Sequence, residues 1–112
     1  MTLWDMLDKT LYYQKVFIYE HNTYGQHMLL FKGLVEDARK DTYNVWGYLM
    51  RDVSLYEYFE GVLVLYIVDE YYDEKLEGHY LGSDKWTNEN RPWKYKTEIY
   101  EEIEDCINNH II

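Results

Sequence analysis

The seven residues VLVLYIV, from Val62 to Val68, form the longest apolar run of the chain and contain no charged side chain. A helix needs about 20 residues to cross a bilayer, so this run is too short to span a membrane. Its valine and isoleucine residues favour a strand, and a strand without polar residues on either face is typical of the middle of a sheet covered on both sides. We therefore expect a central, buried strand that follows a turn at Glu60 and Gly61.

Three further segments have the composition of strands and complete a sheet around this run. Aromatic and β-branched residues dominate residues 11–20, and the turn-forming sequence HNTYGQ separates them from a second strand at residues 27–33. These two strands are expected to pair as an antiparallel hairpin. Residues 52–59 alternate only loosely, but they lead through a turn into the central strand and so predict a second hairpin.

The predicted first strand carries large side chains on both of its faces. Val16 and Ile18 fall in one alternating set, which we assign to the buried face of the sheet. Phe17 and Tyr19 fall in the other set, which we expect to be half exposed.

Helix signals lie at the N-terminus and between the two hairpins. Thr2 and Asp5 stand three residues apart, as in a capping box, and predict a short helix from Leu3 to about Lys9. Residues 34–40 contain good helix formers, and residues 43–50 predict a second short helix. The side chains expected to pack inward from that second helix are Val45, Trp46 and Leu49.

The C-terminal residues predict an amphipathic helix with Thr97 as its capping residue. The segments together predict an α+β fold: a roughly four-stranded, mainly antiparallel sheet with a short N-terminal helix, short connecting helices and an amphipathic C-terminal helix. A chain of 112 residues fits one domain, which we assign to residues 1–112. The apolar side chains that recur at helical spacing near the C-terminus are Ile99, Ile103, Cys106, Ile107 and His110 or Ile111.

The net charge of −10 is confined to the second half of the chain. Residues 1–51 carry six basic and six acidic side chains, whereas residues 52–112 carry five basic and fifteen acidic ones. Binding to nucleic acid or to an anionic membrane depends on lysine and arginine, so we expect neither as a direct partner. With one cysteine and no apolar leader sequence, the chain is expected to work in the cytoplasm.

Two segments hold most of the acidic excess, residues 69–77 and residues 98–105. In a strand, side chains two residues apart on one face are separated by about 6.6 Å, similar to the roughly 7 Å between successive phosphates of a nucleic-acid strand. Rows of carboxylates at this spacing can imitate a phosphate backbone, although such rows also occur as solvated faces that only keep a protein soluble. The residues predicted to contact a partner are Asp69, Glu70, Tyr71, Tyr72, Asp73, Glu74, Glu77, Glu98, Glu101, Glu102, Glu104 and Asp105.

The sequence contains no local catalytic motif: a nucleophile elbow, a glycine-rich phosphate loop and a His-Glu-x-x-His pattern are all absent. Cys106 and His110 lie four residues apart on the predicted last helix and could share a metal ion, with His79 or Glu102 as a third ligand. Because Cys106 falls on the apolar stripe, we expect a core cysteine instead. We predict no catalytic residue, no metal and no cofactor.

Three short segments, TLWDMLD at residues 2–8, VFIYE at 16–20 and FKG at 31–33, resemble small uncharacterised proteins of phages and integrated mobile elements of Gram-positive bacteria. In size, charge and aromatic content the chain is also similar to the broad class of small acidic proteins that includes anti-CRISPR and anti-restriction inhibitors. Together with the rows of carboxylates, this resemblance leads to the hypothesis of a non-enzymatic DNA mimic that inhibits a nucleic-acid-binding host defence enzyme. The expected partner is a protein with a basic, nucleic-acid-binding surface.

Two other functions are compatible with the sequence. Fourteen tyrosines exceed what one small core can bury, so exposed rings could form a protein–protein interaction or oligomerisation module, with the acids serving only solubility. A small enzyme assembled from distant residues is the third hypothesis. The rings considered for contact with a partner are Tyr71, Tyr72, Tyr80, Trp86 and Trp93.

Overall fold

The computed structural model describes residues 1–21, 25–68 and 93–110. None of the helices in these three ranges is long and apolar enough to cross a membrane. The elements, in chain order, are α1 (Leu3–Lys9), β1 (Lys15–His21), β2 (His27–Leu34), α2 (Val35–Ala38), a 3₁₀ helix (Trp46–Tyr48), β3 (Val53–Phe59), β4 (Val62–Val68) and α3 (Lys96–Asn108).

The four described strands form one sheet in the order β2-β1-β4-β3. Each predicted hairpin is antiparallel, β1 with β2 and β3 with β4, and the two hairpins join through a parallel pairing of β1 with β4. The predicted α+β class with a mainly antiparallel sheet is confirmed, and VLVLYIV is a central strand. Glu60 and Gly61 both have positive φ, 51° and 79°, as the two-residue turn of a hairpin requires.

One face of the sheet is covered by α1, α2 and the 3₁₀ helix. Val16 and Ile18 are fully buried on this face, as predicted. In the 3₁₀ segment, Val45 is buried, but Trp46 is 54% exposed, so the prediction that Trp46 packs inward is wrong. A 3₁₀ turn brings residues three apart onto one side, and Tyr48 therefore joins Val45 in the core.

The other face of the sheet is covered by α3. Ile99, Ile103 and Cys106 pack against it, and Phe17 and Tyr19 are fully buried beneath the helix. The prediction that these two rings are half exposed is therefore wrong, because α3 shields the second face from solvent. The sheet is a middle layer between α1, α2 and the 3₁₀ helix on one side and α3 on the other.

The two ends of the described chain differ in how well local signals locate the helices. The capping box at Thr2 is confirmed, since Asp5 N–H donates to Thr2 Oγ1 at 3.2 Å and Thr2 N–H donates to Asp5 Oδ2 at 3.1 Å. Thr97 does not cap α3, which begins at Lys96. Instead, the carboxylate of Glu98 accepts the backbone N–H of Tyr95 at 3.1 Å and fixes the start of the helix.

β1 begins at Lys15, four positions after the predicted start of the strand at Leu11. Residues 11–14 form a turn that is closed by a hydrogen bond from Gln14 N–H to the Leu11 carbonyl at 3.0 Å. Tyr12 and Tyr13 are exposed, with their rings edge to face at 5.2 Å. The aromatic composition that suggested a longer strand thus reflects surface rings.

Candidate functional site

The outward side of α3 carries a row of exposed carboxylates. Successive residues turn by 100° around a helix, which places the acids largely opposite the buried side chains of Ile99, Ile103 and Cys106. From first to last the row extends about 10 Å along the axis, given a rise of about 1.5 Å per residue. We call this row the acidic stripe; its members are Glu98, Glu101, Glu104 and Asp105.

Within the described part of the chain no ion pair engages the acidic stripe, although Lys94 lines the same surface cleft as Glu98, Glu101 and Asp105. The ion pairs formed there engage other acids: Asp8, Glu20, Asp52, Glu57 and Glu102. The last of these, Glu102, sits beside the stripe but turns inward. The stripe therefore presents four negative charges on a helix that a buried apolar face holds in place.

Glu102 belongs to an internal network and not to the stripe. Its carboxylate accepts a hydrogen bond from the Tyr19 hydroxyl at 2.8 Å and forms an ion pair with Lys94. Burial raises the pKa of Tyr19, and the nearby charge of Glu102 raises it further. Of the five helix acids predicted to contact a partner, Glu102 is thus engaged inside the fold. Tyr19 lies 83 residues away in sequence and Lys94 lies outside α3, so helical spacing could not have separated Glu102 from the other four.

A second polar cluster, which the sequence reading missed, lies on the same face of the sheet. Glu57 pairs with Lys96 at 3.2 Å and lies 3.5 Å from the hydroxyl of Tyr66. Partial burial acts to raise the pKa of Glu57, but hydrogen bonds from Tyr100 and Lys96 outweigh it and lower the pKa. Alternation along β3 predicts which face Glu57 occupies, but not the lysine that α3 supplies.

His21 and His27 are cross-strand neighbours at the end of the first hairpin where β1 leads into β2. The Nε2 atom of His21 lies 2.6 Å from the hydroxyl of Ser54. His27 is only 9% exposed, with its ring 5.0 Å from that of Tyr66, and its Nδ1 atom has no hydrogen-bond partner among the described residues. Burial lowers the pKa of His27 to about 4, so this imidazole is neutral near pH 7.

The predicted core role of Cys106 is confirmed. The thiol is buried under α3, 3.8 Å from the ammonium group of Lys32. His110 lies beyond the end of α3 in a left-handed conformation, with φ of 53°. Residues 1–21, 25–68 and 93–110 contain no group of three or more His, Cys, Asp or Glu side chains placed to hold a metal ion.

The acidic segment 69–77 and several of the rings considered for partner contact lie outside the described residues. Trp93 is described: it is partly buried and packs against the core on the α1 side of the sheet. The predicted positions outside the described ranges are Asp69, Glu70, Tyr71, Tyr72, Asp73, Glu74, Glu77, His79, Tyr80 and Trp86.

Comparison of the chain with protein-family models, with curated proteins and with solved structures finds no match.

Proposed function

We propose that this chain is a non-enzymatic acidic binding protein whose acidic stripe occupies the basic, nucleic-acid-binding surface of a protein partner. The observation that carries the proposal is the set of four exposed carboxylates on α3 that have no cation partner among the described residues. A surface that serves only solubility needs no rigid arrangement of charges, whereas a phosphate mimic does.

The geometry of the acidic stripe suits a lysine- or arginine-rich surface. Carboxylates one turn apart on a helix are separated by about 5 to 6 Å, near the spacing of phosphates along a strand. Because α3 is anchored by Ile99, Ile103 and Cys106, the backbone that carries these charges is ordered before binding, which lowers the entropic cost of association. Oppositely charged surfaces also associate faster, and this increase in association rate becomes smaller as the salt concentration rises.

The partner class in this proposal is a nucleic-acid-binding enzyme of host defence, as expected from the sequence resemblance to small phage and mobile-element proteins. An inhibitor of the anti-CRISPR or anti-restriction type would act in the cytoplasm, where such an enzyme meets nucleic acid. The acids at residues 69–77 would add to the negative surface in this proposal. Duplex DNA and the protein should then compete for one site on the partner.

The test compares two charge reversals of equal size. Glu101→Lys alters the acidic stripe, and Asp37→Lys alters an exposed acid of α2. The partner is captured from bacterial lysate, identified, and titrated with each variant over a range of salt concentrations and in the presence of duplex DNA. We expect Glu101→Lys to weaken binding about tenfold and to flatten its salt dependence, with Asp37→Lys close to the unmodified protein.

Equal effects of the two reversals would show that only net charge matters and would remove the acidic stripe from the proposal. Binding that duplex DNA does not displace would rule out phosphate mimicry. Circular dichroism of both variants checks that the fold is retained.

A further inference from the structure

A cleft of about 390 Å³ opens where α1, the turn at residues 11–14 and α2 meet, on the face of the sheet opposite α3. Pockets that bind small molecules usually enclose about 300 to 1,000 Å³, so this cleft has room for one small ligand. All of its lining residues belong to the described part of the chain: Trp4, Tyr12, Glu36, Arg39 and Lys40.

Hydrogen bonds and an ion pair connect the walls of the cleft. The backbone N–H of Glu36 donates to the carbonyl of Tyr12 at 2.9 Å, which joins α2 to the turn. The guanidinium of Arg39 pairs with Asp8 of α1 at 3.4 Å. The carbonyl of Arg39 also accepts the indole N–H of Trp46 at 2.9 Å. The three walls are therefore held together by the fold itself.

Flat side chains form one part of the lining. Trp4 and Tyr12 are 37% and 61% exposed, although both are large aromatic residues. The guanidinium of Arg39 lies 5.3 Å from the ring centre of Trp4. Aromatic rings and guanidinium planes are the surfaces on which proteins stack unpaired nucleobases. The cleft thus suits a ligand that has a planar ring.

Two charged side chains of opposite sign complete the lining, Glu36 and Lys40. Neither forms an ion pair or a side-chain hydrogen bond within the described part of the chain. Glutamate and lysine four residues apart commonly pair along a helix, but α2 ends at Ala38, before Lys40. A carboxylate that accepts N–H groups and an ammonium that attracts an anion are therefore both available to one ligand.

We propose that this cleft binds a nucleoside monophosphate whose base is guanine. The base stacks on the aromatic side chains, its Watson–Crick edge donates to Glu36, and its phosphate pairs with Lys40. Guanine carries a ring N–H and an amino group side by side on this edge, and one carboxylate can accept from both. Adenine and cytosine carry a ring-nitrogen acceptor beside the amino group, and that lone pair would oppose the carboxylate.

A single nucleotide fits this cleft better than a strand of nucleic acid does. A strand needs several lysine or arginine contacts to its phosphates, whereas Arg39 is already paired with Asp8 and leaves Lys40 as the unpaired cation of the lining. The net charge of −10 repels a polyanion far more strongly than it repels one phosphate.

The test measures binding of four ligands by calorimetry: guanosine monophosphate, adenosine monophosphate, guanosine, and a single-stranded oligonucleotide that contains guanine. We expect guanosine monophosphate to bind with a Kd below about 1 mM and at least about tenfold more tightly than each of the other three. Adenosine monophosphate tests the contact with Glu36, and guanosine, which lacks the phosphate, tests the contact with Lys40.

Two substitutions assign the contacts. Glu36→Gln should abolish the preference for guanosine monophosphate over adenosine monophosphate, and Lys40→Gln should abolish the preference over guanosine. The matched controls are Asp37→Asn and Lys9→Gln, at exposed positions outside the lining, and each should change the affinity less than twofold. Circular dichroism checks that all four variants are folded.

Equal binding of the two monophosphates to the unmodified protein would overturn the proposal, as would the absence of binding at about 1 mM. Tighter binding of the oligonucleotide would also overturn it, because the ligand would then be a strand. Glu101→Lys in the acidic stripe should leave nucleotide binding unchanged, so the cleft and the proposed inhibitory function are tested separately.

Discussion

The imidazole of His27 lies against the rings of Tyr66 and Tyr19, at 5.0 and 6.5 Å between ring centres, and is shielded from solvent. Burial, assisted by the nearby His21 and Lys96, lowers the pKa of His27 to about 4 from an ordinary value of 6.5. Between these two values the unfolded chain binds the proton more tightly than the folded chain does. Acid therefore favours unfolding across this window of pH.

We expect the free energy of unfolding to fall by about 3 kcal/mol from the titration of His27 alone as the pH is lowered from 6.5 to 4. His27→Phe removes both the titration and the unpaired Nδ1 atom, so its free energy of unfolding should depend less on pH in this range. Urea unfolding at several pH values measures the difference. His110→Asn, at an exposed position, is the control and should follow the unmodified protein. Parallel curves for His27→Phe and the unmodified protein would contradict the assignment.

Among the elements, α3 contributes both to the core and to the candidate binding surface. Its inner side closes the second face of the sheet with Ile99, Ile103 and Cys106, and its outer side holds the acidic stripe. Since the two sides share no residue, stability and partner binding should respond to different substitutions.

Ile103→Ala should lower the free energy of unfolding by about 2 to 5 kcal/mol, because it leaves a cavity under α3. Glu104→Ala, one residue later and exposed, should change it by less than about 0.5 kcal/mol. Urea unfolding of both variants gives the comparison. Similar values for the two would mean that α3 is not seated on the sheet as described.

Glu102→Gln tests the internal network at the same helix. The neutral amide should cost about 1 kcal/mol of stability, because Lys94 and the hydroxyl of Tyr19 lose a charged acceptor. A double-mutant cycle with Tyr19→Phe should give a coupling energy above zero. If the effects of the two substitutions simply add, the hydrogen bond contributes nothing to stability.

At the scale of the whole molecule, short sequence motifs predicted the helices, strands and turns. Contacts between residues far apart in sequence determined which side chains are buried. The Thr2 capping box, the Glu60–Gly61 turn and the apolar run of β4 each depend on neighbouring residues, and all three were predicted from the sequence. The burial of Phe17 could not be predicted from the sequence, because it depends on α3, a helix some eighty residues away that covers the second face of the sheet.

In the candidate site, too, some features could be predicted from nearby residues and others depend on distant contacts. Helical spacing places Glu98, Glu101 and Asp105 together on the outer side of α3, and the structure exposes them. The inward turn of Glu102 depends on Tyr19 and Lys94, which lie outside α3. Helical spacing within α3 therefore does not encode it.

The parallel pairing of β1 with β4 also affects the order in which the strand pairs form during folding. Each hairpin brings together residues close in sequence and can form within microseconds, whereas pairing Val16 with Leu63 must close the whole intervening segment. We therefore expect the pairing of the two hairpins to be the slow step of folding. Until it occurs, the apolar edge of β4 is open to other chains, so the yield of refolding should fall as protein concentration rises.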